Sequence, residues 1–184
     1  MRSLDRKRQA LTAIVVSAAF AGLAGCDGPL TSRPAPDDPR ASAADAAFTH
    51  DIGDDLSGYY RPVSAVTAGD YRLTHLFLGQ AADFEAWEDG SKSRAHGPVM
   101  IEFANASGTS VRVLPKAYAV SARQVRFAGS HPDLGEVSFE GSLDAGALAT
   151  AKRNLGDEAP VLSGTLRVGG RSFGQQKFRW YGGD

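Results

Sequence analysis

Sulfur is scarce in this chain: one cysteine, Cys26, and two methionines in 184 residues. A single thiol excludes an intramolecular disulfide and any Cys-rich metal site. Basic excess is missing as well, with 20 Lys+Arg against 21 Asp+Glu. That argues against a nucleic-acid partner, which needs a concentrated positive footprint, and against a polybasic membrane patch. The sequence has no G-x-S-x-G elbow, no P-loop, no H-E-x-x-H and no Cys/His cluster, so the common hydrolase, nucleotide and zinc signatures are absent. The uncharged stretch from Ala10 to Gly22 is too short to span about 30 Å of hydrocarbon at about 1.5 Å per residue.

What the N-terminus does contain is ordered. Arg2, Arg6, Lys7 and Arg8 outweigh Asp5, the short apolar stretch follows, and Leu23-Ala24-Gly25-Cys26 closes it. A positive region before a short apolar core is the pattern of a secretory signal. Leu23, three residues before the cysteine, with small Ala24 and Gly25 between them, resembles the lipobox of bacterial lipoproteins with type II signal peptides. The resemblance covers about a seventh of the chain. It implies cleavage between Gly25 and Cys26, a diacylglycerol on the Cys26 sulfur and an acyl chain on the new amine. Two or more chains make a stable anchor where one binds marginally, each buried CH₂ contributing about 0.8 kcal/mol. Asp27 resembles the signal that retains enterobacterial lipoproteins in the inner membrane, so that membrane is favoured over the outer one. The partner so implied is the membrane itself, with the protein in the cell envelope and facing the periplasm. Four of the 20 basic and one of the 21 acidic residues lie in the signal, so the mature chain carries a net charge of −4.

Residues 26–50 read as the lipidated cysteine and a tether. Pro29, Pro34, Pro36 and Pro39 punctuate a segment almost without large apolar residues before Phe48. Such a segment cannot bury enough surface to offset its ordering entropy. Composition changes over 51–184, where aromatic and β-branched residues alternate with glycine. This length suits one domain with a real core.

Within it, period-two alternation predicts seven or eight strands. The first is Leu56–Val63 and the second Tyr71–Leu78, whose apolar residues on both faces suggest cover on both sides. Val125 and Phe127 pair with Val137, Phe139 and Leu143 as a hairpin. Two short helices interrupt the strands. One covers Gln80 to Gly90, with Ala81, Phe84 and Trp87 on one face. The other follows Asp144 as N-cap, with Leu148, Ala151 and Leu155 as its stripe and Gly156 ending it. The fold class expected is mainly β: a small antiparallel meander, barrel-like because closure removes exposed edges, with a two-sheet sandwich as the alternative.

The C-terminal hairpin makes the sharpest structural demand. A turn at Gly169-Gly170 pairs Val168 with Arg171 and Leu166 with Phe173. Continued without a break, that register brings Lys177 to the face of Leu166 and sends Phe178 to the other. Either both faces are covered or the last strand carries one extra residue near Gly174; the favoured reading is a β-bulge there, which gathers Leu162, Leu166, Phe173, Phe178 and Trp180 in one core.

The candidate ligand or metal residues are His75, His96, Glu85 and Glu88, with Asp83 beside them. A helix laid across a barrel mouth would bring imidazole and carboxylate together for a metal or for general acid–base work. No spacing among them is diagnostic. The plainer expectation is that the acids form the wet face of the helix and the histidines are hydrogen-bonded or exposed. His50, at the tether boundary, and His131, in a turn, are expected in solvent. Aromatics including Tyr59, Tyr60, Phe139, Phe178 and Trp180 line either a cavity or a plain core. Together these residues predict a non-catalytic binding or accessory module of the envelope, with no cofactor, meeting an envelope protein. The alternatives are a barrel that carries a small apolar ligand or lipid and, less favoured, a His/carboxylate enzyme.

Overall fold

The computed structural model describes residues 47–183. The segment expected to be a signal peptide, Cys26, Asp27 and the expected tether up to residue 46 lie outside the described residues. Among the described residues, eleven strands and two helices follow one another. The first half comprises β1 (Phe48–Asp51), β2 (Gly58–Pro62), β3 (Thr67–Ala68), β4 (Tyr71–Leu78), α1 (Ala81–Glu88), β5 (Val99–Asn105) and β6 (Ser110–Val113). The second comprises β7 (Pro115–Ser121), β8 (Gln124–His131), β9 (Gly135–Leu143), α2 (Ala145–Arg153), β10 (Pro160–Val168) and β11 (Arg171–Tyr181). Neighbours in the sheet run β1-β7-β8-β9-β10-β11-β2-β4-β5-β6, with β3 paired to β4. All pairs are antiparallel except β1 with β7.

The fold is therefore mainly β, one sheet curled into a half-barrel. Its unbroken path sets aside the two-sheet sandwich. The last strand is the join: β11 pairs with β10 on one side and β2 on the other, linking the two halves of the chain. Helix α1 follows β4 and leads to β5, yet touches β1 at the far edge of the sheet, so it packs across the opening. Residues 48–50, read from sequence as tether, belong to β1, which four parallel pairings hold to β7.

One device recurs: the bulge. Phe173 faces Leu166, but Gln176 faces Gly164 and Phe178 faces Leu162. Thr165 thus opposes both Gly174 and Gln175, the extra residue expected near Gly174. The left-handed position is Gln175, at φ 51°, rather than the glycine beside it. A second shift, between Pro160 and Leu162, places the spare residue on β10. Phe178, Leu162 and Leu166 are each 1% exposed, while Phe173 and Trp180 pack on the core from partly buried positions.

A bulge also corrects the expectation for Tyr71–Leu78. Between Leu73, opposite Phe103, and His75, opposite Glu102, β4 carries one residue too many. The Thr74 hydroxyl donates to the Glu102 carbonyl at 2.7 Å there. The bulge turns Leu73 inward with Leu76 and Leu78, and leaves His75 and Phe77 on the outer face. An apolar pattern that looked two-sided is one-sided once the register slips by one. The sheet need not be covered on both sides, and Phe77 is only partly buried.

The second helix starts as its sequence demands. The Asp144 carboxylate accepts from Ala147 N at 2.9 Å, and Leu148 and Ala151 are buried. Its end differs: the helix stops at Arg153 with Asn154 as C-cap, and Leu155 lies in a loop, 84% exposed, instead of completing the stripe.

Trp180 closes the seam between β11 and β2. Its indole N–H donates to the Ser57 carbonyl at 3.0 Å, a contact between residues 123 apart in sequence. Trp180→Ala is expected to cost about 3 kcal/mol, the lower end of the range for large aromatics because the ring is only partly buried. Urea unfolding followed by far-UV circular dichroism measures this; a loss under about 1 kcal/mol would contradict the role given to the ring.

Candidate functional site

The strands β11 and β4 end where β2 begins, between the start of α1 and the end of α2. Register places Tyr181 opposite Tyr59 and Tyr59 opposite Phe77. Their rings form a row on the outer face, with centroids 6.4 Å apart for Tyr59–Tyr181 and 5.3 Å for Tyr59–Phe77. Tyr59 and Phe77 line an open cleft of about 530 Å³ with Trp180, Asp55, Asp83 and Lys152. A second cleft of about 320 Å³ shares Trp180 and is lined by Tyr181, Arg61, Arg179 and Glu158. The Arg61 guanidinium lies 3.6 Å from the centre of the Tyr181 ring.

The walls of the larger cleft are shaped by small residues. Gly58, at φ 139°, abuts the Trp180 indole so closely that a Cβ there would lie 2.2 Å from Nε1. This glycine is required twice, by its backbone angle and by the ring. At the floor, Lys152 Nζ donates to the Asp55 carboxylate and to the Asp55 carbonyl, both at 2.7 Å, and stands 5.3 Å from the Trp180 ring. Ser57 N donates to the other Asp55 oxygen at 2.9 Å. At the helix start, the Asp83 carboxylate accepts from Gln80 N at 2.8 Å.

Burial raises the Asp55 pKa, but the hydrogen bonds from Lys152 and Ser57 and the lysine's charge outweigh it and bring the group down to about 2 from 3.8. The folded pKa is below the unfolded one. The resulting stability is present above about pH 4 and is lost as the pH falls through about 2. The Asp55 side chain is 67% exposed, so water screens the pair and the contribution is small. Asp55→Asn is expected to remove part of the acid limb of the stability profile between pH 4 and 2, read as melting temperature against pH. An unchanged acid limb would show that the pair adds nothing.

The four sequence candidates are not brought into one site. His75 meets Tyr59 edge to face at 4.9 Å, and the exposed His96 meets Phe77 at 5.4 Å. They flank the aromatic row. Burial, and then Arg112 and Arg61, lower the His75 pKa against the opposing pull of Glu102. Glu85 is on the exposed side of α1. Glu88 belongs elsewhere, bonded to His50 Nδ1 at 3.0 Å and accepting from the Tyr118 hydroxyl at 3.0 Å. Burial, that hydrogen bond and the carboxylate's charge all push the Tyr118 phenol pKa up. His50 is thus a tie between β1 and α1, its side chain 17% exposed and stacked on Phe84, where solvent was expected. Among the described residues, no group of three or more His, Cys, Asp or Glu is placed to hold a metal.

Sequence reasoning missed Asp55 and Lys152, which are 97 residues apart and carry no local signal. Of the aromatics named from sequence, Tyr60, Phe139 and Phe178 are core, and Tyr59 and Trp180 reach the cleft. The comparisons with known proteins find no family model, no curated protein and no solved structure that matches this chain. No helix among the described residues is long and apolar enough to cross a membrane.

Proposed function

We propose that this chain is a lipid-anchored protein of the bacterial cell envelope, held at the membrane through Cys26, with a non-catalytic binding module facing the periplasm on a Pro-rich tether. The observation that carries the anchor is Leu23-Ala24-Gly25-Cys26 behind a basic and then apolar N-terminus. Asp27 favours the inner membrane. For the module, the support is an inner sheet face packed with buried aromatics together with clefts that open to solvent. Tyr60, Phe103, Phe139 and Phe178 occupy the inner side of the sheet at 2% exposure or less. The larger cleft is lined by charged groups as well as rings. A carrier of a small apolar ligand needs apolar space inside, so these features favour a module that meets its partner at the surface.

Metabolic labelling with an alkyne fatty acid, followed by membrane fractionation, tests the anchor. The wild type is expected to be labelled and to sediment with membranes. Cys26→Ser is expected to lose the label and to accumulate as precursor or as a soluble species. Equal labelling of the two would overturn the anchoring.

A further inference from the structure

We infer that the paired clefts around Trp180 bind a glycan strand. The inference deepens the binding-module reading and rests on it. Three observations point to this chemistry. The aromatic row Phe77–Tyr59–Tyr181 runs from the larger cleft to the smaller, Arg61 covering one face of Tyr181, and Trp180 lines both clefts. The electron-rich face of an aromatic ring attracts the weakly positive C–H face of a pyranose, and a row of rings suits successive sugars better than one small molecule.

The polar groups suit hydroxyls. In the larger cleft Asp55 is bonded by Lys152 and by the backbone and side chain of Ser57, and an ionised carboxylate has about four acceptor sites, so capacity remains for a sugar O–H donor. Asp83 offers a second carboxylate, with one bond from Gln80 N. Charge then separates the candidate ligands. Asp55 and Asp83 outweigh Lys152, whose ammonium is already bonded to Asp55, so a phosphate or other anion is repelled from the larger cleft. An acyl chain would strip water from an ion pair without replacing its hydrogen bonds. A polyhydroxyl ligand does neither. At the smaller cleft Arg61 and Arg179 supply donors, Arg179 being shared with Glu158 at 3.1 Å.

The test uses the full mature chain in detergent, with Trp87→Phe leaving Trp180 as the single tryptophan. Its emission is titrated with a β-1,4-linked N-acetylglucosamine tetramer, a glucose tetramer and a lysine-rich peptide. The inference predicts a saturable change with at least one tetramer. It also predicts a loss of affinity of tenfold or more in Tyr59→Leu and in Phe77→Leu, which keep apolar bulk and remove the ring. Circular dichroism confirms that both variants are folded. Unaltered affinity in both folded variants would overturn the site. Saturation by the peptide alone would overturn the glycan assignment and leave the binding module standing. No response to any of the three would overturn both, independently of whether Cys26 carries lipid.

Discussion

Phe178→Ala is expected to lower the stability of the domain by about 3–5 kcal/mol, the range for a buried large aromatic. The side chain is 1% exposed, opposes Leu162 across the β10–β11 ladder, and meets Phe139 edge to face at 5.4 Å. Such ring pairs contribute about 0.5–1.5 kcal/mol beyond the area they bury. The loss falls on the seam, since β11 is the strand that joins β10 to β2. The position is a core position only because Gln175 is absorbed as a bulge; in the unbroken register Phe178 would face solvent and the substitution would be nearly silent. Chemical denaturation monitored by circular dichroism gives the number. A cost below about 1 kcal/mol would mean that the strand runs in the unbroken register.

Gly164→Ala is expected to cost at least about 3 kcal/mol, beyond the usual range for overpacking because the obstacles include backbone. Gly164 faces Gly141 across β9–β10, and the Phe139 ring lies over the pair. A Cβ at 164 would lie 2.3 Å from the Glu140 carbonyl oxygen, 2.5 Å from Gly141 Cα and 2.8 Å from Phe139 Cζ. Only the ring has any freedom to move. Gly174→Ala, on the neighbouring strand, is the matched control: a Cβ there meets nothing within 4 Å, and the change is expected to stay within about 0.5 kcal/mol. Equal effects at the two positions would contradict the packing described for the glycine pair.

The parts legible in the sequence were those fixed by near neighbours. The Gly169-Gly170 turn, the Asp144 cap and the alternation of Val125, Phe127, Val137 and Phe139 each depend on a few adjacent residues, and the structure reproduces them. The bulge at Gln175 was legible too, because two aromatics five apart cannot share a face without it. The bulge at Thr74 was not, since Tyr71–Leu78 reads equally well as a strand covered twice. Only its partner β5 decides between the two readings.

The candidate site was less legible for a related reason. Lys152 reaches Asp55 across 97 residues, and Trp180 reaches Ser57 across 123. No local pattern records those distances. His50 reads from sequence as a solvated residue at the tether boundary, yet parallel pairing with β7 and the Glu88 carboxylate hold it to the domain. The choice of His75, His96, Glu85 and Glu88 treated helix and strand as facing each other. The histidines instead flank the outer aromatic row, and Glu88 ties α1 to β1 and β7.

Anchoring at Cys26 would decide which partners the clefts can meet. Mass spectrometry of the N-terminal peptide of the mature protein, isolated from membranes of the native host, tests it most directly. The expected result is a chain that begins at Cys26 and carries a diacylglycerol on sulfur together with an acyl group on the amine. A mature chain that begins elsewhere, or a Cys26 recovered as a free thiol, would contradict it.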